Sequence, residues 1–205
     1  MAYATLADLR SWLSIDDSWD DGTLSATLSA AESAVEAHCG QLFTSVTATR
    51  LFVPDDELLL FLNQSPIATA AGMSISMDVD NNGSYETSVP STDWLLEPIN
   101  GLGPTGETGW PYTRIRLING RTWTASDWGR PTVQITAQWG WPAVPEAVRQ
   151  ATLIGAAWLW SQKASPTGVQ MTEFGPMTIR SMPQAERLLA PYRRGGAIIA
   201  IGGVQ

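Results

Sequence analysis

The sequence predicts an α+β protein: a small α-helical bundle formed by N- and C-terminal helices, a large inserted antiparallel β subdomain, and an extended C-terminal tail. Three observations lead there. Apolar residues recur at helical spacing before residue 40 and again after residue 144. Between them, short β-rich runs alternate with period two and are separated by Gly, Pro, Asn and Asp. Last, "GGAIIAIGGVQ" closes the chain as a glycine-bounded apolar segment. The expected boundaries are 1–45 for the N-terminal helices of the bundle, 46–142 for the inserted β subdomain, 143–194 for the C-terminal helices and 195–205 for the tail.

The elements follow in order. Thr5 and Asp8 form a T-x-x-D capping pattern, and Leu6, Leu9, Trp12 and Leu13 share one helical face. "SIDDSWDDG" breaks that helix. A second runs from about Thr23 to Cys39, with Leu24, Leu28, Ala31 and Val35 inward, Glu32 and Glu36 on a wet face, and Gly40 as its C-terminal cap. About six strands are expected in residues 46–140, from "VTATRLFV", "LLLFL", "GMSISMDV", "SYETSV", "TRIRLI" and "TVQITAQW". Helix returns at "VPEAVRQATLIGAAWLWSQKA", where Pro145 suits the first turn and Glu146 complements the dipole. Residues 151–160 are apolar nearly all round, which predicts burial on several sides. "SPTGVQMTEFGPMTIRSMP" reads as a loop with a short hairpin, and "PQAERLLAPYRR" as a short last helix.

Composition narrows the function classes. With 205 residues and 44% hydrophobic content the chain can bury a real core. A net charge of −8 disfavours broad phosphate gripping of nucleic acid and adhesion to an anionic membrane. It is compatible with DNA sliding past without sticking. Cys39 is the only cysteine, so no intrachain disulfide is expected, and the first residues lack a signal-peptide pattern. "ATLIGAAWLW" is too short to span a bilayer. These features together read as an intracellular soluble protein. Ten tryptophans, scattered along the chain, point to core anchors or protein interfaces.

Four stretches could carry chemistry. "DVDNNGSYE" (78–86) begins like a calcium loop, with Asp78, Asp80, Asn82 and Gly83. Position twelve of such a loop should be a bidentate Glu, and here it is Val89. The flanks read as strands, so a β-turn is the leading expectation and a weak cation site on Asp78, Asp80 and Asn82 the other. "GLGPTG" (101–106) matches G-x-G-x-x-G but leads towards a strand and contains Pro104, which predicts a plain glycine loop. His38 is the only histidine and adjoins Cys39; neighbours on a helix point about 100° apart, so no nucleophile–base pair is expected. No Cys/His cluster is present, and no cofactor or catalytic residue is assigned. Finally, "YRRGGAIIAIGG" sets Tyr192, Arg193 and Arg194 before a Gly195–Gly196 hinge and the apolar Ile198, Ile199 and Ile201. Such a tail either folds back on its own domain or adds to a partner. It is expected to be loosely held from about Tyr192 onward, with the arginines anchored on acidic partner groups or on carbonyls at the chain's own helix end.

The stretches "ATLADLRSWLSIDD", "AAESAVEAHCGQLF" and "WPAVPEAVRQATLIGAAWLWSQKASPTGV" together resemble the head–tail connector, or adaptor, family of long-tailed bacteriophages. The resemblance covers both ends, about half the chain; the β region, with "VDNNGSYE" and "WLLEPIN", is similar to the insertion of some members. It implies a non-enzymatic virion protein of the neck, assembled in the bacterial host cytoplasm. It implies a homo-oligomeric ring, commonly of twelve copies, below the portal. The ring would extend the DNA channel without specific DNA binding and offer a docking surface for the next neck or tail-completion protein. The resemblance also implies that the C-terminal segment reaches the portal protein, through Tyr192, Arg193, Arg194, Gly195, Gly196, Ile198, Ile199 and Ile201.

Two other readings come from the residues. Trp110, Trp123, Trp128, Trp139 and Trp141 could build a carbohydrate-binding β module. The acidic loop with Asp16, Asp17, Asp20 and Asp21 could serve a metal-dependent enzyme, although no ligand cluster supports it.

Overall fold

The computed structural model describes residues 2–63, 65–104, 106–163 and 182–194. The chain divides into two units, one from Met1–Leu42 with Val144–Gln205 and one from Phe43–Ala143.

The first unit is helical. Helix α1 (Leu6–Leu13) opens with the expected capping box: the Thr5 hydroxyl accepts from the Asp8 N–H at 3.1 Å, and an Asp8 carboxylate oxygen accepts from the Thr5 N–H at 2.9 Å. The Thr5 backbone and side-chain hydrogen bonds hold the Asp8 carboxyl below its ordinary value. Helix α2 (Asp21–Cys39) ends at Gly40, whose φ of +65 is the left-handed cap that glycine adopts without a Cβ penalty. Among the described residues, helix α3 (Glu146–Lys163), helix α4 (Pro183–Leu189) and a 3-10 turn at Ala190–Tyr192 follow in this unit. Leu9, Leu24, Leu28, Ala31, Leu153 and Ala156 form its core, with α2 and α3 as the main packing pair. Thr152, buried on α3, satisfies its hydroxyl by donating to the Val148 carbonyl at 2.9 Å.

Two expectations for this unit need correction. Trp12 does not join Leu9 in the core but stands 51% exposed. Leu6 and Leu13 pack with Leu9, and the stripe on an eight-residue helix is too narrow to bury a fourth large side chain. Glu32 and Glu36 are not on a wet face. Both are half-buried because Tyr3 lies over them, its N–H donating to Glu32 and its hydroxyl to Glu36, each at 2.7 Å.

The second unit is built from two antiparallel sheets. One has strand order β1 (Ser45–Phe52), β7 (Val133–Gly140), β3 (Ile67–Met77), β4 (Thr87–Val89). The other has order β2 (Leu59–Phe61), β6 (Arg114–Leu117), β5 (Trp94–Glu97). Alternate residues of both feed one core: Leu60, Leu96, Ile115 and Leu117 from the small sheet meet Ile75, Val133, Ile135 and Trp139 from the large one. The burial of β7 alternates strictly along its length, as period-two patterning demands.

Among the described residues seven strands therefore stand where about six were expected; the addition is β5, whose "WLLE" is a short apolar run without clear alternation. Strand β3 also starts earlier than its alternating part. Residues Ile67–Thr69 pair with β7 through register shifts, so "IATAA" is strand with bulges that blur the pattern.

Candidate functional site

The root of the C-terminal tail is fixed on the helical unit. Tyr192 ends the 3-10 turn, and its carbonyl accepts from the Gln41 side-chain amide at 2.5 Å. The Arg194 N–H donates to the Cys39 carbonyl at 3.0 Å. That carbonyl is one of the last in α2, which have no partner within the helix, so the returning chain caps it. Arg193 and Arg194 are thus delivered to the negative end of the helix dipole. Burial pulls Arg194 below the usual arginine value. The same burial, seen from α2, pushes the Cys39 thiol up to about 11, with the Arg193 charge opposing weakly. A helix-end carbonyl does hold this segment, through the Arg194 backbone N–H and not through a guanidinium group. The expectation of a loose chain from Tyr192 onward is corrected for Tyr192–Arg194. Gly195, Gly196, Ile198, Ile199 and Ile201 lie outside the described residues. Gln41 was missed in the sequence, since a lone amide after a helix-capping glycine carries no spacing signal.

Residues 78–86 form the connection from β3 to β4. Asp78 is buried, and it works as an acceptor for the loop's own backbone. One carboxylate oxygen accepts from the Asn82 N–H at 3.0 Å and the other from the Gly83 N–H at 2.8 Å. Burial acts to raise the Asp78 value, but these N–H donors together outweigh it and hold the carboxyl below its ordinary range. The Asn82 side chain donates to Asp80 at 2.9 Å and accepts from the Ser84 N–H at 2.6 Å. Asn81 and Gly83 take φ of +58 and +94, which is why Asn and Gly stand there. A cation needs convergent free oxygens; here both Asp78 oxygens face hydrogen-bond donors. Among the described residues no group of three or more His, Cys, Asp or Glu is placed to hold a metal ion.

The loop also braces a second one, between β6 and β7. The Asn81 side chain accepts from the Asp127 N–H at 3.1 Å and donates to the Ala125 carbonyl at 3.3 Å. Arg130 donates to the Asn81 carbonyl at 3.4 Å, and the Tyr85 hydroxyl to the Pro131 carbonyl at 3.0 Å. At the tip of this braced pair Trp128 is fully exposed.

The "GLGPTG" stretch leads from β5 towards β6, with no helix after it. A Cβ on Gly101 would stand 2.8 Å from the Trp110 carbonyl oxygen, and one on Gly103 would collide with the Trp110 indole and the Glu107 carboxylate. Close packing therefore accounts for both glycines. His38 and Cys39 sit on the last turn of α2, Cys39 inward and His38 half-buried. The five tryptophans considered for a carbohydrate-binding module do not share one exposed surface. Trp123, Trp139 and Trp141 are buried, Trp110 is half-buried with its ring 5.0 Å from Trp141, and only Trp128 faces outward. No described helix is long and apolar enough to cross a membrane.

Comparison with known proteins agrees with this architecture. Residues 3–92, just under half of the chain, match the family model described as phage gp6-like head–tail connector protein. No curated protein matches the chain. The neck of an empty gene transfer agent particle, computed with C6 symmetry, has the same fold with a TM-score of 0.54 at 20% identity, covering 98% of this chain and 93% of that one. The neck of the native particle, computed with C12 symmetry, gives 0.53 at 22%, covering 97% and 91%. A chain of the native virion of a gene transfer agent gives 0.50 at 21%, covering 98% and 93%. Over residues 3–92 the chain is thus similar to phage head–tail connector proteins, and over nearly its whole length it shares the fold of the gene transfer agent neck chains.

Proposed function

We propose that this chain is a structural adaptor of the virion neck, without enzymatic activity. Copies form a ring below the portal, carry the DNA channel onward and present a surface to the next neck or tail-completion protein. The observation that carries this reading is the coincidence of the family match over residues 3–92 with a whole-chain fold shared with neck chains computed with C6 and C12 symmetry. The chemistry is in keeping. A chain of net charge −8 repels the DNA backbone, which lets a genome pass without adhering. Tyr192–Arg194, pinned at the end of α2, form a fixed base from which residues 195–205 extend to the portal. Ile198, Ile199 and Ile201 supply the apolar contact there, and Gly195–Gly196 the turn. The reading is tested by adding the purified protein to portal-bearing, DNA-filled heads that lack it. A ring of added density below the portal in negative-stain averages, and recovery of tail attachment, are expected. Heads that stay bare and tailless in the presence of folded protein overturn it.

A further inference from the structure

Trp128 combines three properties that work against a freely solvated residue. It is 100% exposed, it is large and aromatic, and it holds a φ of +60, a conformation that bulky side chains rarely adopt. The conformation is imposed by neighbours on both sides. Ser126 donates through its hydroxyl to the Arg130 carbonyl, and the Arg130 N–H donates to the Asp127 carbonyl at 3.3 Å. The Asp78-centred loop then fixes Asp127 through Asn81. Val79, on that bracing loop, is 54% exposed. A stiff, strained tip that displays an indole is the form of an interface anchor, because its ordering cost is met before binding.

The same unit carries a face of matching chemistry. On the outer side of the small sheet, Phe61 and Leu95 are each 44% exposed. Arg114 lies between Phe61 and Glu97, and Arg116 between Leu59 and Leu95, in the strand register. Both guanidinium groups turn to Glu97, Arg116 at 2.6 Å and Arg114 at 3.4 Å, and the Arg116 charge also acts on the Asp56 carboxylate. The tip is acidic: Asp80, Glu86 and Asp127 are exposed around the single Arg130. An indole between two aliphatic or aromatic side chains and over a guanidinium plane is a favourable pairing. Asp80, Glu86 and Asp127 of the tip would also meet the Arg114 and Arg116 guanidinium groups, on a chain that otherwise repels its own copies.

We propose that the Trp128 tip of one copy docks on the Phe61–Leu95 face, over Arg114 and Arg116, of a second copy of this chain. The contact uses two different patches of one subunit, so it is head-to-tail and propagates until a ring closes. The inference rests on the ring reading above and names the surfaces that build it.

Paired cysteines test it directly, since Cys39 is buried and does not interfere. The full chain carrying Trp128→Cys together with Leu95→Cys, oxidised at high protein concentration, should give a ladder of disulfide-linked multimers on non-reducing gels. The control pair Trp128→Cys with Thr49→Cys, which uses the exposed outer face of the large sheet, should not. In mass photometry, Trp128→Ala should raise the protein concentration needed for multimers at least about tenfold while leaving the melting temperature unchanged. Multimers that form normally in Trp128→Ala, with no ladder from the Trp128/Leu95 pair, overturn this interface and leave the ring reading standing. Absence of both ladder and multimers in every variant and in the wild type, with portal present, overturns both.

Discussion

The N–H of Arg194 donates to the carbonyl of Cys39 at 3.0 Å, so the last described residue of the chain is tied to the C-terminal end of the second helix. With the Gln41 amide on the Tyr192 carbonyl, this makes a two-point anchor immediately before Gly195. A truncation series should therefore show a break at that point. Removing residues 195–205 is expected to leave the melting temperature nearly unchanged while abolishing attachment to portal-bearing heads. Removing residues 192–205 deletes both hydrogen bonds and should lower the melting temperature by about 4–8 °C. Calorimetry on the two truncations checks this; equal, large losses in both would place the tail in the protein's own core.

Cys39 reports on the same junction. Burial raises its thiol from an ordinary 9.0 to about 11. At pH 8 the thiolate fraction in the folded protein is then lower by about a hundredfold than in the unfolded chain, and the reagent must also reach a buried sulfur. Labelling with a thiol-specific chromogen should be slower in the native protein by at least that factor and become fast in denaturant. The sign for stability follows. A thiol that ionises less readily when folded contributes fully below pH 9, and its contribution is lost as pH rises towards about 11. Rapid native labelling at pH 8 would mean that the end of α2 opens readily.

The α+β class could be read from the sequence because its two periodicities are local. Leu24, Leu28, Ala31 and Val35 recur at helical spacing, and all four are buried. In β7, Val133, Ile135, Ala137 and Trp139 alternate with polar residues and fill the core. What escaped the sequence depends on contacts between distant residues. Glu32 and Glu36 looked solvated because nothing nearby announces Tyr3 as their cover. Strand β5 escaped because a four-residue run gives too little alternation to detect. The candidate site follows the same division. Asp78 to Gly83 could be recognised as turn chemistry from their types alone. The anchor on Gln41 and Cys39 could not, since it joins positions separated by 151 residues in the case of Gln41 and Tyr192.

Trp139 should be the most sensitive position in the β unit. It is 2% exposed, its indole N–H donates to the Ala48 carbonyl at 2.7 Å, and it packs between Phe52, at 5.5 Å, and the Arg50 guanidinium, at 4.8 Å. Trp139→Ala should cost about 3–5 kcal/mol through the cavity and the lost hydrogen bond. Trp139→Phe keeps an aromatic ring but leaves the Ala48 carbonyl without its donor, and should cost about 1–3 kcal/mol. Denaturant melts of both variants rank the two effects. A Trp139→Phe variant of unchanged stability would show that the ring alone, and not the hydrogen bond, fixes the edge strand β1.

Asp78 separates a turn from a cation site by the direction of its responses. Its carboxylate accepts from the Asn82 and Gly83 N–H groups, and its value is held below the ordinary 3.8. A carboxyl depressed on folding stabilises the protein above its unfolded value and ceases to do so as pH falls through the folded one. Stability should therefore decline below about pH 4 more steeply in the wild type than in Asp78→Asn, which cannot ionise. At neutral pH, Asp78→Asn should melt roughly 2–8 °C lower, because an amide offers one acceptor oxygen where two N–H donors need partners. Calcium should not matter to either protein. A ligand at a hundredfold excess over its Kd would raise the melting temperature by roughly 5–11 °C, an effect well within reach of calorimetry. A rise of that size in millimolar calcium, absent from Asp78→Asn, would mean that the Asn82 and Gly83 N–H groups release the carboxylate to a cation. The loop would then brace Asp127 and Trp128 only when that cation is bound.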